Sequence, residues 1–165
     1  MEISSKKILE FFVDHLHKIY CAKSHLVAKL PALTKWAHYP DLKEALGQTL
    51  ENVKMEISRM DIIYAMLDAD YSDCSTKGLI GLVSDAFDAI EKQDYDPEIR
   101  DLSILFYLQN IESVEMASFQ ILQMTAVKLK NKQIGELLRE NYELSKSNRT
   151  QLLLVATKYI TAVTK

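Results

Sequence analysis

Glu112 and Glu115 stand three residues apart in LQNIESVEMASFQ, a stretch flanked by apolar sequence. On a helix that spacing is close to one turn, so both carboxylates leave the same face. Carboxylates placed this way bridge metal ions or neutralise a buried cation. A candidate cation is Lys23, which interrupts the apolar series Leu9, Phe12, Leu16, Ile19, Leu26, Leu30 and Leu33. The chemistry at issue is therefore that of a metal centre, of an ion-pair network in its place, or of a solvated face on a structural helix.

Five helices are expected to position these groups. The first runs from about Ser4 to Trp36, with Pro31 predicted to bend it or end its regular part. The second covers about 40–68, with Pro40 near its start. A polar connection, DADYSDCSTKG, leads to a shorter helix from about Ser75 to Lys92, with apolar residues Leu79, Leu82, Val83, Ala86, Phe87 and Ile90. Asp96 is the expected cap of the fourth helix, which runs from Pro97 to about Leu129. The fifth covers about Gln133 to Val163. Long helices joined by short loops predict an all-α antiparallel four-helix bundle, with the shorter helix between the second and third long ones. The 165 residues read as one domain, 1–165.

The inward series place polar groups at mid-helix. The fourth helix runs Leu105, Leu108, Glu112, Glu115, Phe119, Leu122, Ala126; the fifth runs Ile134, Leu138, Asn141, Ser145, Asn148, Leu152, Val155, Tyr159. On the second helix the apolar seam is Leu46, Leu50, Val53, Ile57, Met60, Tyr64 and Leu67, with Gly47, Glu51, Lys54 and Ser58 beside it. Mid-helix positions of an antiparallel bundle meet at one level. The sequence thus predicts a polar layer across the core, with Lys23, Glu51, Lys54, Glu112, Glu115 and Ser145 as members. Buried charges cost several kcal/mol unless partnered, and opposite charges are at hand.

Composition narrows the function classes. A net charge of -3 argues against a nucleic-acid binder acting through a basic face. No run of 18 apolar residues occurs, so no transmembrane helix is expected. The first 20 residues carry acidic and His residues within their apolar part and do not read as a signal peptide, so the expected setting is cytoplasmic. Only four Gly and three Pro occur, in keeping with an all-helical chain. Cys21 and Cys74 show no disulfide framework and no metal-type spacing, and are read as small apolar fillers. His15, His17, His25 and His38 are read as surface or core-edge residues. No phosphate loop, nucleophile elbow or zinc-type Cys/His spacing is present.

The segments IYCAKSHL, LENVKMEISRMD, CSTKGLI, IESVEMASF and LLRENYELSK, in that order and spacing, resemble the YciF/YciE-type bacterial ferritin-like stress proteins over about residues 12–160. The resemblance implies a ferritin-like bundle with a di-metal carboxylate site: a Glu on the first helix, Glu-x-x-His on the second, two ligands on the fourth and acidic ligands on the fifth. Carboxylates bridge such metals and imidazole completes their coordination. This chain departs from that pattern. Lys23 stands at the first-helix Glu position. Glu51 matches, but Lys54 replaces the His. Glu112 and Glu115 match, while Ser145 and Arg149 fall where acidic residues are expected. The Cys74 position, near GLI, is one where the family often has Cys, and implies helix packing.

Residues and resemblance together imply a non-catalytic bundle, stress-associated by its resemblance to that family, whose degenerate metal site has become a buried Lys/Glu network. No cofactor is expected. The alternatives are a residual iron or manganese carboxylate protein, and a helical binding module for a protein or small apolar ligand. The resemblance implies a homodimer or another protein partner. Phe11, Ile63, Tyr107 and Ile121 lie off the seams as candidates for an interface.

Overall fold

Local capping sets where several helices begin. In the computed structural model, which describes residues 3–70, 74 and 77–162, the helices are α1 (Ser5–Trp36), α2 (Pro40–Leu67), α3 (Gly78–Glu91), α4 (Pro97–Lys128) and α5 (Lys132–Ile160). Ser4 Oγ accepts the Lys7 N–H at 3.4 Å, and Asn131 Oδ1 accepts that of Ile134 at 3.1 Å. Asp96 Oδ1 accepts from the N–H groups of Glu98 and Ile99 at 3.0 and 3.1 Å, with Pro97 following it, as the sequence predicts. Ser75 and Val163, the expected start of the short helix and end of the last, lie outside the described residues, as does part of the polar connection before α3.

Pro31 does not end α1, which runs on to Trp36. Its ring is on the exposed side, while Leu30 and Leu33 beside it are fully buried and carry the packing. The backbone bond that proline forfeits thus lies at the solvent face, where water can take its place.

α1 packs on α2 and α4, and α5 packs on the same two helices, leaving α1 opposite α5 and α2 opposite α4. The start of α4 meets the α1–α2 corner: Arg100 Nη2 donates to the Trp36 carbonyl at 2.6 Å. The end of α5 reaches that corner too, with Tyr159 stacked on Tyr39 at 3.6 Å. Each helix is therefore antiparallel to both of its neighbours. α3 lies against α1 and α4 and returns the chain from the far end of α2 to the start of α4. The result is a four-helix bundle with one long crossover connection. No helix of the described residues is long and apolar enough to cross a membrane.

The core is in two parts. One, toward the α1–α2 corner, includes Leu26, Leu30, Leu33, Leu42, Phe87, Leu105 and Leu152. The other, toward the opposite end, includes Phe12, Leu16, Met60, Tyr64, Phe119, Leu122 and Leu138. Ile57 packs against both. The polar residues of the next section lie between them. Of the expected seam positions, Leu9 is 40% exposed, because it lies at the open end of α1. Ile63, expected off the seam, is fully buried, whereas Phe11 and Ile121 are exposed.

Tyr39 precedes α2 without a side-chain cap of its own. Asp101, fully buried on α4, takes that role: its carboxylate accepts the His38 N–H at 2.8 and 2.9 Å and the Tyr39 N–H at 2.6 Å. Asp101→Ala leaves these donors without their acceptor and is expected to cost about 2–3 kcal/mol. Urea unfolding should show a lower midpoint with an unchanged slope. An unchanged midpoint would mean that the corner is held by something else.

Candidate functional site

Lys23 is fully buried at mid-α1. Its ammonium lies 2.6 Å from Glu115 Oε2 on α4 and 2.6 Å from Glu56 Oε2 on α2. Glu112 Oε2 is 3.9 Å away, and Ser145 Oγ on α5 is 3.4 Å away. Ser145 Oγ in turn donates to Glu56 Oε1 at 2.8 Å. Around this centre runs a line of amides. Gln48 Nε2 donates to Asn52 Oδ1 at 3.0 Å, Asn52 Nδ2 to Asn148 Oδ1 at 2.6 Å, and Asn148 Nδ2 to Glu112 Oε1 at 3.1 Å. Asn141 Nδ2 ties α5 to the backbone carbonyl of Glu56 at 3.1 Å. All four long helices thus contribute to one buried layer.

Of the expected members, Lys23, Glu112, Glu115 and Ser145 meet in this layer. Glu51 and Lys54 do not: both are exposed and pair with each other at 2.7 Å. Arg149 is half-buried and donates to Ser113 Oγ at 2.8 Å, outside the cluster, while its neighbour Asn148 points inward. The correction on α2 has a geometric cause. This helix packs on both α1 and α5, and the face turned between them is Leu42, Ala45, Leu46, Thr49, Asn52, Val53, Glu56 and Met60. That face is rotated roughly 50°, half of one residue step, from the centre of the expected seam Leu46, Leu50, Val53, Ile57, Met60, Tyr64 and Leu67. Glu51 and Lys54 then fall on the opposite side. Asn52 and Glu56 were missed because a stripe drawn through apolar residues alone leaves out a polar residue at its centre. Their i,i+4 spacing in line with Thr49 and Met60 was the available signal.

One ammonium faces three carboxyl groups in a water-excluded layer. Burial disfavours the charge on Lys23, but the attraction of Glu115, Glu56 and Glu112 outweighs it and holds the lysine pKa above its usual range. Burial pushes Glu115 up to about 7; Lys23 opposes the rise and Glu56 adds to it. Glu112 is raised well above the ordinary carboxylate range, by burial first, against the pull of Lys23 and with repulsion from Glu115 and Glu56. Glu112 therefore favours its protonated form more than an ordinary glutamate does. Glu112 Oε2 and Glu115 Oε1 are buried without another hydrogen-bonding partner, and a proton on Glu112 directed to Glu115 satisfies both. With that proton in place, Lys23 is a cation between Glu56 and Glu115, with a neutral acid at its side.

Two further expectations are corrected. Cys21 and Cys74, read as separate apolar fillers, are joined in a disulfide whose Cα atoms are 5.5 Å apart. Their sequence separation of 53 gave no sign of it, because the approach is made by the fold and not by sequence spacing. His17, read as a surface or core-edge residue, is buried, with Nε2 3.4 Å from Cys21 Sγ and Nδ1 3.4 Å from Tyr64 Oη.

The geometry generates two expected outcomes. Lys23→Met leaves the carboxyl groups without their cation and should cost about 3–5 kcal/mol at neutral pH. The penalty should shrink as acid protonates the glutamates, which paired denaturation curves at low and neutral pH would reveal. The second outcome concerns pH directly. A carboxyl group whose folded pKa is raised binds more protons folded than unfolded, so its stabilising contribution is complete in acid and is lost as pH rises. For Glu115, rising from 4.5 to about 7, stability should fall between about pH 4.5 and pH 7 by on the order of 3 kcal/mol. Glu115→Gln, which mimics the protonated acid and cannot ionise, should flatten this decline. A variant as pH-sensitive as the parent would show that Glu115 is not the group responsible.

A family model described as a domain of unknown function (DUF892) matches residues 7–164. Protein YciF of Escherichia coli K12 is 25% identical over 151 residues, covering 91% of this chain and 90% of its own length. Among solved structures, the E. coli stress protein YciF superposes with a TM-score of 0.87 at 23% identity, over 94% of this chain and 98% of that one. YcfI of Rhodopseudomonas palustris gives 0.82 at 24% identity, over 95% of each chain. At these identities the structural likeness establishes the fold. The match across nearly the whole sequence means that the chain belongs to the DUF892 family of YciF-type helical-bundle proteins.

Proposed function

We propose that this chain is a non-catalytic, ferritin-like bundle in which a lysine of its own takes the place of the metal ions. The observation that carries the reading is the Lys23 ammonium, fully buried and 2.6 Å from carboxylates on two different helices. A cation already bridges Glu56 and Glu115 there. The rest of the layer adds to the argument. Ser145, Asn52 and Asn148, which complete it, are neutral side chains that bind the glutamates or one another. A metal pair would have to enter against the fixed positive charge of Lys23, which already occupies the space between the carboxyl groups. The donor set therefore does not fit a di-metal centre, and no reaction is derived through one.

The role in the cell is extended from likeness. E. coli YciF is described as a stress protein, and we carry a stress-associated role over to this chain, in a cytoplasmic setting and acting through protein contacts. In support of such contacts, α4 leaves Ile121, Met124 and Val127 exposed at 48%, 67% and 76% near one end, and Phe106 at 63% further along. A self-associating face on α4 is part of the proposal. Sedimentation should then show a dimer that Met124→Glu weakens, whereas a monomer at all concentrations would remove this part.

The central reading is tested by elemental analysis of purified protein after loading with ferrous iron or manganese. The expected content of either metal is far below one ion per chain, and unchanged in Glu115→Gln. Stoichiometric iron or manganese that is lost in Glu115→Gln would overturn the reading and establish a residual carboxylate metal centre.

A further inference from the structure

The disulfide and its buried histidine neighbour form a second group of chemistry-bearing side chains, on the face of α1 turned toward the α2–α3 connection. The ligand atoms of His17, Cys21 and Cys74 all lie within 4.8 Å of one another. The geometry points to a thiol-controlled site for zinc: closed while Cys21 and Cys74 are joined, and a Cys2His site once they are reduced.

Three observations carry this. His17 and Cys21 are four residues apart on one helix and so share a face, with Nε2 3.4 Å from Sγ. Tetrahedral zinc, with Zn–S of about 2.3 Å and Zn–N of about 2.0 Å, sets such a pair roughly 3.5 Å apart. The rigid helix thus holds two of the ligands at nearly the required separation before any ion arrives. The second observation is the histidine's other nitrogen. His17 Nδ1 faces Tyr64 Oη at 3.4 Å, so the tautomer protonated at Nδ1 donates to tyrosine and leaves the Nε2 lone pair toward Cys21. The third is access. Cys21 and His17 are buried at 2% and 7% exposure, while Cys74, supplied by the connection between α2 and α3, is exposed. A reductant and an ion therefore reach the site through the exposed Cys74.

The reaction balances with a small dithiol as reductant. Its thiolate attacks the exposed Cys74 sulfur, and Cys21 leaves as thiolate beside His17. The second thiol of the reductant then releases Cys74. Two electrons and two protons pass to the protein, and the reductant becomes a cyclic disulfide. Zinc binding then releases the two thiol protons, with His17 as a neutral ligand.

The full chain would be tested by titration with zinc or with cobalt(II) as a coloured probe, in oxidised and dithiol-reduced forms, thiol content being counted in each. The expected result is two thiols and one tightly bound ion per reduced chain, a thiolate-to-cobalt charge-transfer band, and neither band nor stoichiometric zinc in the oxidised chain. His17→Ala should weaken zinc by about 100-fold or more, and Tyr64→Phe, which keeps the ring but loses the second partner, by roughly 10–100-fold. Far-ultraviolet circular dichroism would confirm that each variant keeps its helices. Equal zinc affinity in His17→Ala, no tight zinc in the reduced chain, or two free thiols in protein purified in air would each overturn the proposal. These outcomes are separate from iron or manganese at Lys23, because Glu115→Gln leaves the cysteine pair untouched.

Discussion

A single ammonium held between carboxylates from opposite sides of the core is the constraint around which this bundle is organised. Lys23 on α1 reaches Glu56 on α2 and Glu115 on α4, and Ser145 on α5 closes the ring by bonding to Glu56. Each group is expensive to bury alone and tolerable only with the others. Sliding one helix by a turn would carry its polar group into an apolar cluster and leave the remaining charges unpaired. The layer therefore fixes the relative register of the four long helices, whether or not it adds net stability.

Its position also explains the division of the core. Apolar side chains collapse on both sides of the layer, one cluster toward the α1–α2 corner and the other toward the far end. At the first end, Asp101 and Arg100 bind the corner backbone, and Tyr159 stacks on Tyr39. At the other, the chain leaves α2 and returns along α3, with the Cys21–Cys74 bond tying that return to the middle of α1. Polar bonds at the corner, charge at the centre and a covalent link to the crossover thus act at different levels of one bundle. The covalent link alone responds to reductant, whereas the central layer responds to pH through Glu112 and Glu115.

Much of this was legible in the residues. Capping at Asp96 and Pro97, the scarcity of Gly and Pro, and the 3–4 spacing of α1, α4 and α5 determined the helices and which faces go inward. Lys23, Glu112, Glu115 and Ser145 could be placed in the core because each interrupts an otherwise apolar line. On α2 the same method failed. Leu50 and Ile57 flank the buried face without centring it, so the line drawn through them set Glu51 and Lys54 beside the core in place of Asn52 and Glu56.

The sequence by itself determined that the chain would be helical, where six of the buried polar groups lie, and that a lysine stands among glutamates. It did so because periodicity and charge are local properties. The tertiary structure alone decided that Glu56 is the second partner of Lys23, and that Asp101 accepts the Tyr39 N–H, 62 residues earlier in the chain, at the start of α2. It alone brought Cys74 to Cys21 and His17. The rotation of α2 about its axis and the path of the crossover are set by packing against several helices at once, and no window of residues along the chain encodes them.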